Sequence, residues 1–140
     1  MPVIAARNDE LKVILDSNAF FVPLQFQIDI FNELERLLNR GFDLILLSSV
    51  KHELETLAAK GSPKMRRQAT FALRLAEKCK LIEVAKDSSE DVDEVITETA
   101  REWKAAVFTN DVQLRKKLRD ISVPVIYVRQ KLRLEIDGLI

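Results

Sequence analysis

Five short runs of uninterrupted apolar residues alternate along this chain with stretches in which apolar residues recur at helical spacing. That alternation is the tightest constraint on the fold. A strand that is apolar at every position is buried on both faces, and a sheet of such strands must be parallel with helices packed above and below it. The runs predict strands over 11–15, 43–47, 81–84, 105–108 and 125–128. Between them, Phe26, Ile30, Leu34, Leu37 and Leu38 mark a helix that Gly41 closes, and Val50, Leu54, Leu57 and Ala58 mark one that Ser48 or Ser49 caps. Met65, Ala69, Ala72, Leu73 and Ala76 follow, with Ser62 as N-cap and Pro63 at the first helical position. After a polar loop over 86–91, Val92, Val95, Ile96, Thr99, Ala100 and Trp103 give a further helix, and Val112, Arg115 and Leu118 a short basic one. The expected fold is α/β, a three-layer α/β/α sandwich around a central parallel sheet of about five strands. The 140 residues are the length of one domain, with its core over about 12–129 and a C-terminal tail, 130–140, that has no evident place in the sheet.

Scarcity excludes several chemistries. With one Cys (Cys79) and one His (His52), neither an internal disulfide nor a Cys/His zinc site can form, and any Ser-His-Asp or Cys-His site would rest on His52 alone. Its helical register puts His52 on the surface, Cys79 and Tyr127 read as core, and Trp103 and Phe71 read as core in preference to base-stacking residues. Only Gly41, Gly61 and Gly138 are available, so there is no glycine-rich phosphate loop. Lys+Arg and Asp+Glu both number 22, so affinity for nucleic acid must come from segregated charge. No apolar run approaches the ~18 residues of a membrane span, and Arg7, Asp9 and Glu10 stand where a signal peptide needs an apolar stretch. The expectation is a soluble, cytoplasmic protein with no membrane partner.

Parallel sheets bind ligands outside the carboxyl ends of their strands. Asp16 directly follows the first predicted strand, and Asp111 follows the fourth by three residues. Asp93 opens the helix after the third strand, and Glu53 lies about one turn into the helix after the second, at the border of its apolar stripe. Four carboxylates on one sheet edge repel one another and resist desolvation, so they persist with shifted pKa values or with a cation. Oxygen ligands without His or Cys select Mg²⁺ or Mn²⁺, and carboxylate-held Mg²⁺ serves phosphodiester hydrolysis. The competing reading of each acid alone is structural: turn residue or cap for Asp16 and Asp111, helix-dipole acid for Asp93, solvated flank for Glu53.

Three segments carry a family resemblance: Val13-Ile14-Leu15-Asp16-Ser17-Asn18-Ala19-Phe20, Val92-Asp93-Glu94-Val95-Ile96 with Thr99-Ala100, and Val107-Phe108-Thr109-Asn110-Asp111 before a basic helix. In these the chain resembles the PIN domain nucleases over about 12–129. Val123 to Arg129 and the Lys-Leu-Arg-Leu-Glu tail are similar to small archaeal members related to rRNA-processing PIN endonucleases. The resemblance implies that Asp16, Glu53, Asp93 and Asp111 are the catalytic acids, and that Asp16, Asp93 and Asp111 hold the metal with Glu53 nearby or linked through water. It implies supporting roles for Asn18, Thr109 and Asn110. Ser17 stands where the family more often has Thr, and keeps the hydroxyl.

The implied activity is Mg²⁺- or Mn²⁺-dependent hydrolysis of single-stranded RNA in RNA or rRNA processing, with either Asp111 or Glu53 orienting the water. Lys64, Arg66, Arg67, Arg115, Lys116 and Lys117 are the candidate RNA contacts; their plain alternative is a solvated helix face. Other readings are a ribonuclease toxin with an antitoxin partner, or a non-catalytic scaffold that binds RNA or protein. A phosphatase site would need a second Asp at Asn18, and a receiver site paired acids after the first strand; neither pattern is present. The resemblance and the apolar tail (Leu132, Leu134, Ile136, Leu139, Ile140) together predict a homodimer, and a ribosome-assembly partner accompanies the processing role.

Overall fold

The structure is a computed structural model that describes residues 10–85 and 91–140. Six strands form one sheet: β1 (Leu11–Leu15), β2 (Phe42–Leu47), β3 (Lys80–Ile82), β4 (Ala106–Phe108), β5 (Val125–Arg129) and β6 (Arg133–Asp137). Their order is β3-β2-β1-β4-β5-β6. All neighbours pair in parallel except β5 and β6, which are antiparallel. A short 3₁₀ turn (Ser17–Phe21) leads from β1 into α1 (Val22–Phe26) and α2 (Ile30–Leu38). The remaining helices are α3 (Ser48–Lys60), α4 (Pro63–Ala76), α5 (Val92–Trp103) and α6 (Val112–Asp120). The α/β expectation holds. Val13, Ile14 and Leu15 of β1 and all of β4 are fully buried, as strands covered on both faces must be.

Strand order places the site. From β1 the chain moves one way to β2 and β3, then returns to lay β4 and β5 on the other side of β1. The direction of winding reverses between β1 and β4, and the crevice at their carboxyl ends is the switch point of such a sheet. Leu15 and Phe108 are partners in register at that end, one residue before Asp16 and Thr109.

Four details depart from the sequence reading, each for a local reason. The tail belongs to the sheet: Arg133–Asp137 is the sixth, antiparallel strand. It returns through Gln130 and Lys131, both at positive φ, with Leu132 N–H bonded to Arg129 C=O, the turn whose twist suits a hairpin. Leu134 is thereby buried and Ile136 packs on the core, leaving Leu132, Leu139 and Ile140 exposed. The first helical stretch is two helices, because Gln27 turns left-handed after α1 and the Asp29 carboxylate caps α2 anew. Asn39, rather than Gly41, ends α2 in the left-handed conformation. Neither Ser48 nor Ser49 caps α3; the Ser48 hydroxyl accepts from Val84 N–H instead, fastening the exit of β3 to the start of α3.

Ser62 caps α4 through Met65 N–H, with Pro63 in its first turn, as expected. His52 is on the surface, and Trp103 and Tyr127 are half-buried. Phe71 is not core: it is 38% exposed on the outer face of α4. Cys79 is half-buried, and burial pushes its thiol up to about 12, so it carries no reactive thiolate near neutral pH. Among the described residues no helix is long and apolar enough to cross a membrane. The expected loop over 86–91 lies outside the described residues except for Asp91, and so do the charges at Arg7 and Asp9.

Candidate active site

Asp16 is the centre of the acidic edge. It leaves β1 with its N–H bonded to Phe108 C=O of β4, so its position is set by the sheet itself. Its carboxylate is 5% exposed and accepts from Ser17 N–H (2.8 Å), Asn18 Nδ2 (3.1 Å) and the Thr109 hydroxyl (2.8 Å). The bond to Ser17 makes Asp16 the cap of the 3₁₀ turn, so the structural reading of this residue is correct as far as it goes. It is incomplete, because burial still lifts the Asp16 carboxyl above its ordinary value, and the nearby Asp111 charge adds to the lift.

The three supporting polar residues tie β1, β4 and β5 into one plate. Besides donating to Asp16, the Thr109 hydroxyl accepts from Asp111 N–H (3.1 Å) and lies 3.3 Å from Asn18 Nδ2. Asn18 Oδ1 accepts from Asn110 N–H (3.0 Å), and Asn110 Oδ1 accepts from Val128 N–H (2.9 Å). Thr-Asn-Asp at the end of an apolar strand is therefore a device with three separate tasks. Thr109 holds the Asp16 carboxylate and the Asp111 backbone, Asn110 staples β4 to β5, and Asp111 starts the next helix.

Asp111 caps α6 with one carboxylate oxygen, which accepts from Gln113 and Leu114 N–H. Among the described residues no hydrogen bond occupies its second oxygen. Asp93 differs. The caps of α5 are supplied by Asp91 and Glu94, which close a capping box, so the Asp93 carboxylate is not spent on the helix end. Burial raises its pKa, and the charges of Asp16, Asp111 and Asp91 raise it further, against the opposing charge of Lys117. Glu53 sits in the second turn of α3 rather than its first. Burial raises its pKa most, a hydrogen bond from the Ser17 side chain opposes this, and the charges of Asp16 and Asp93 add to it. Asp16, Glu53 and Asp93 thus each feel the charge of another acid, and Asp16 and Asp93 that of Asp111, so the fold brings the expected quartet to one edge. Ser17, noted in the sequence only as a retained hydroxyl, links Asp16 to Glu53.

The donor set suits a hard divalent cation: oxygen only, with like charges held together at an energetic cost that a cation relieves. Among the described residues no three acidic, His or Cys side chains converge tightly enough to cage an ion by themselves. Mg²⁺ keeps several waters, so an ion at this edge would be held by some of the acids directly and by others through water.

Of the six candidate basic residues, Lys116 and Lys117 are exposed on α6 behind Asp111. Arg115 on the same helix is already engaged. It pairs with Asp137 of β6 at 3.0 Å and lies 3.7 Å over the Tyr127 ring. Arg119 shares Asp137, and Gly138 at φ +111° leaves room for it, since a Cβ there would lie 2.6 Å from the guanidinium. Lys64, Arg66 and Arg67 are exposed on α4.

Residues 13–131 match the family model described as a PIN like domain. The chain belongs to this family. As a PIN-like domain it is 34% identical over 130 residues to Ribonuclease VapC4 of Methanocaldococcus jannaschii, covering 92% of this chain and 98% of that one. It is 27% identical over 135 residues to Ribonuclease VapC9 of Archaeoglobus fulgidus, covering 95% of each. Among solved structures it is similar to the PIN domain endonuclease Utp24, with a TM-score of 0.76, 26% identity and 92% of both chains covered. A chain of VapBC2 from Rickettsia felis shares the fold, at a TM-score of 0.61 and 16% identity over 85% of this PIN-like domain and 100% of that chain.

The raised carboxyl values give a stability prediction. A carboxyl whose pKa is higher in the folded than in the unfolded chain contributes stability below its unfolded value, about 4.3 for Glu, and loses it as pH rises through the folded value. Glu53 is such a group. In EDTA at pH 7, Glu53→Gln is therefore expected to melt about 1–3 °C above wild type, and the gain should vanish near pH 4. Calorimetric melts at both pH values check this; a lower melting temperature for the variant at pH 7 contradicts it.

Proposed function

We propose that this PIN-like domain is a metal-dependent endoribonuclease that hydrolyses single-stranded RNA in RNA or rRNA processing. One observation carries the reading: Asp16, Glu53 and Asp93, brought to one sheet edge from three separate elements, all have raised carboxyl values, an arrangement that costs stability unless a cation joins it. The ribonuclease names of two relatives support RNA as the substrate. Likeness to the endonuclease Utp24 at 26% identity supports internal cleavage.

Asp16, Asp93 and Asp111 would hold Mg²⁺ or Mn²⁺. When bound, such an ion supplies a water of lowered pKa and neutralises charge on the phosphate. Thr109 and Asn18 fix the Asp16 carboxylate, and Thr109 also fixes the backbone at Asp111, so Asp16 would meet an ion already oriented. Glu53 or the second oxygen of Asp111 would orient the attacking water. Burial holds the Glu53 carboxyl above its ordinary value, which favours its protonated form. Lys116 and Lys117 would guide the RNA backbone beside the acids, and Lys64, Arg66 and Arg67 would hold it on α4; Arg115 is left to its partners Asp137 and Tyr127. No side chain becomes a nucleophile, which suits a chain with one His and one buried Cys.

The test is cleavage of an end-labelled single-stranded RNA with Mn²⁺ and with EDTA. Internal cuts that require Mn²⁺ and weaken steeply with salt are expected. RNA binding without any cleavage would favour the scaffold reading. The VapC names of two relatives favour a toxin role as the second reading, in which an antitoxin chain restrains the same site. Growth arrest on expression of wild type but not of Asp16→Asn would select it over processing. A cytoplasmic homodimer is proposed with either role, from the resemblance and the exposed Leu132. Sedimentation should give twice the 16.1 kDa monomer mass; a monomer at every concentration contradicts it.

A further inference from the structure

Helix α4 has an unusual charge distribution. Pro63–Ala76 contains Lys64, Arg66, Arg67 and Arg74 and no acid, in a chain of zero net charge. Three of these cations fall in the first turns, where the helix dipole is positive and disfavours them. Several other arginines are neutralised: Arg36 by Glu33, Arg115 and Arg119 by Asp137, Arg129 and Arg133 by Glu135. Among the described residues Arg66, Arg67 and Arg74 have no ion pair.

These arginines share their helix face with an aromatic ring. Pro63, Arg66, Arg67, Thr70, Phe71 and Arg74 line a groove of about 400 Å³. Phe71 lies four residues after Arg67 and three before Arg74, so the three share one helix face and line the same groove. Its neighbours Ala69, Ala72 and Ala76 supply the buried face of the helix, so Phe71 is not required to fill the core. An exposed aromatic between unpaired arginines is the combination that binds single-stranded nucleic acid: the ring stacks a base, and the cations take the phosphates on either side. The inner side of α4 packs on the 3₁₀ turn that begins at Ser17, so the groove's helix is braced directly against the acidic site.

We infer that the outer face of α4 is a second RNA-binding site, in which Phe71 stacks one unpaired base and Arg66, Arg67 and Arg74 hold the flanking phosphates. It takes its ligand class from the ribonuclease reading and extends that reading from the cutting site to a separate anchoring site. RNA is favoured over an acidic protein because acidic side chains would use the arginines and leave the ring idle.

The experiment measures binding of fluorescein-labelled oligouridine by anisotropy in EDTA, where cleavage does not intervene. Phe71→Ala should weaken binding by at least about fivefold and Phe71→Trp should restore it, since stacking contributes ~1–3 kcal/mol per base. Arg66→Gln and Arg74→Gln should each lower the slope of log affinity against log salt by about 0.7. With Mn²⁺, Phe71→Ala should cleave an RNA too short to span both sites at the wild-type rate. Wild-type binding by Phe71→Ala and Arg74→Gln, both folded by circular dichroism, overturns the inference. So does displacement of the RNA by polyglutamate with no dependence on Phe71, which would mark a site for acidic protein. Sedimentation in which wild type dimerises and Phe71→Ala does not would make the face a contact between copies, and also overturns it. Phe71-dependent binding in a protein that cuts no RNA upholds the α4 site while rejecting the nuclease.

Discussion

Asp16→Asn should lose more than about a hundredfold of the Mn²⁺-dependent cleavage rate while remaining folded. Replacing the groups that merely orient a metal ligand costs ~10–100-fold, and Asp16 is the most buried of the four acids and feels Asp111 directly. Asparagine keeps one oxygen, which can still accept from Ser17 N–H or the Thr109 hydroxyl but not from both with the charged strength of a carboxylate. Loss of those bonds is offset by relief of a buried charge, so the melting temperature should stay within a few degrees of wild type. Cleavage rate and circular dichroism melt are measured on the same sample. A normally folded Asp16→Asn that cuts within tenfold of wild type would place the chemistry elsewhere.

Thr109→Val is the sharper probe of how the site is held, because it removes a hydroxyl and keeps the shape. The hydroxyl is fully buried, donates to Asp16 and accepts from Asp111 N–H. Valine leaves the Asp111 N–H without its partner and Asp16 one donor short, at a cost of ~1–3 kcal/mol, or about 3–9 °C in melting temperature for a domain of this size. The cleavage rate should fall by ~10–100-fold as Asp16 loses its orientation. Thr109→Ser keeps the hydroxyl and should recover most of the rate even though it removes a methyl from the core. If serine and valine variants lose activity equally, Thr109 acts by packing, not by positioning.

The sheet was legible because strands buried on both faces write themselves as unbroken apolar runs, as Val13-Ile14-Leu15 and Val107-Phe108 do. The sixth strand was not, because its turn uses Gln130 and Lys131 at positive φ, where a hairpin signal would be Asn-Gly. The break after α1 was hidden for the same reason, as Gln27 adopts a left-handed conformation that nothing in its residue type announces. The placement of Asp16 and Asp111 just after strands, and of Glu53 and Asp93 early in helices, on one sheet edge was legible because topology decides which edge they share. What pattern could not supply was the division of labour around them. Asp91 and Glu94 relieve Asp93 of capping duty, and Asp137, 22 residues beyond Arg115, engages its guanidinium. Phe71 reads as core from its residue type although the stripe of α4 already passes it by, and alanines suffice on the buried face.

The central claim is that Asp16, Glu53, Asp93 and Asp111 form one site for a divalent cation. It is tested most directly by titrating Mn²⁺ into the protein and following the free ion by electron paramagnetic resonance, with wild type compared against Asp16→Asn and Asp93→Asn. Saturable binding by wild type, weakened at least about tenfold in each variant, is the predicted result. Equal Mn²⁺ binding by all three proteins would contradict it.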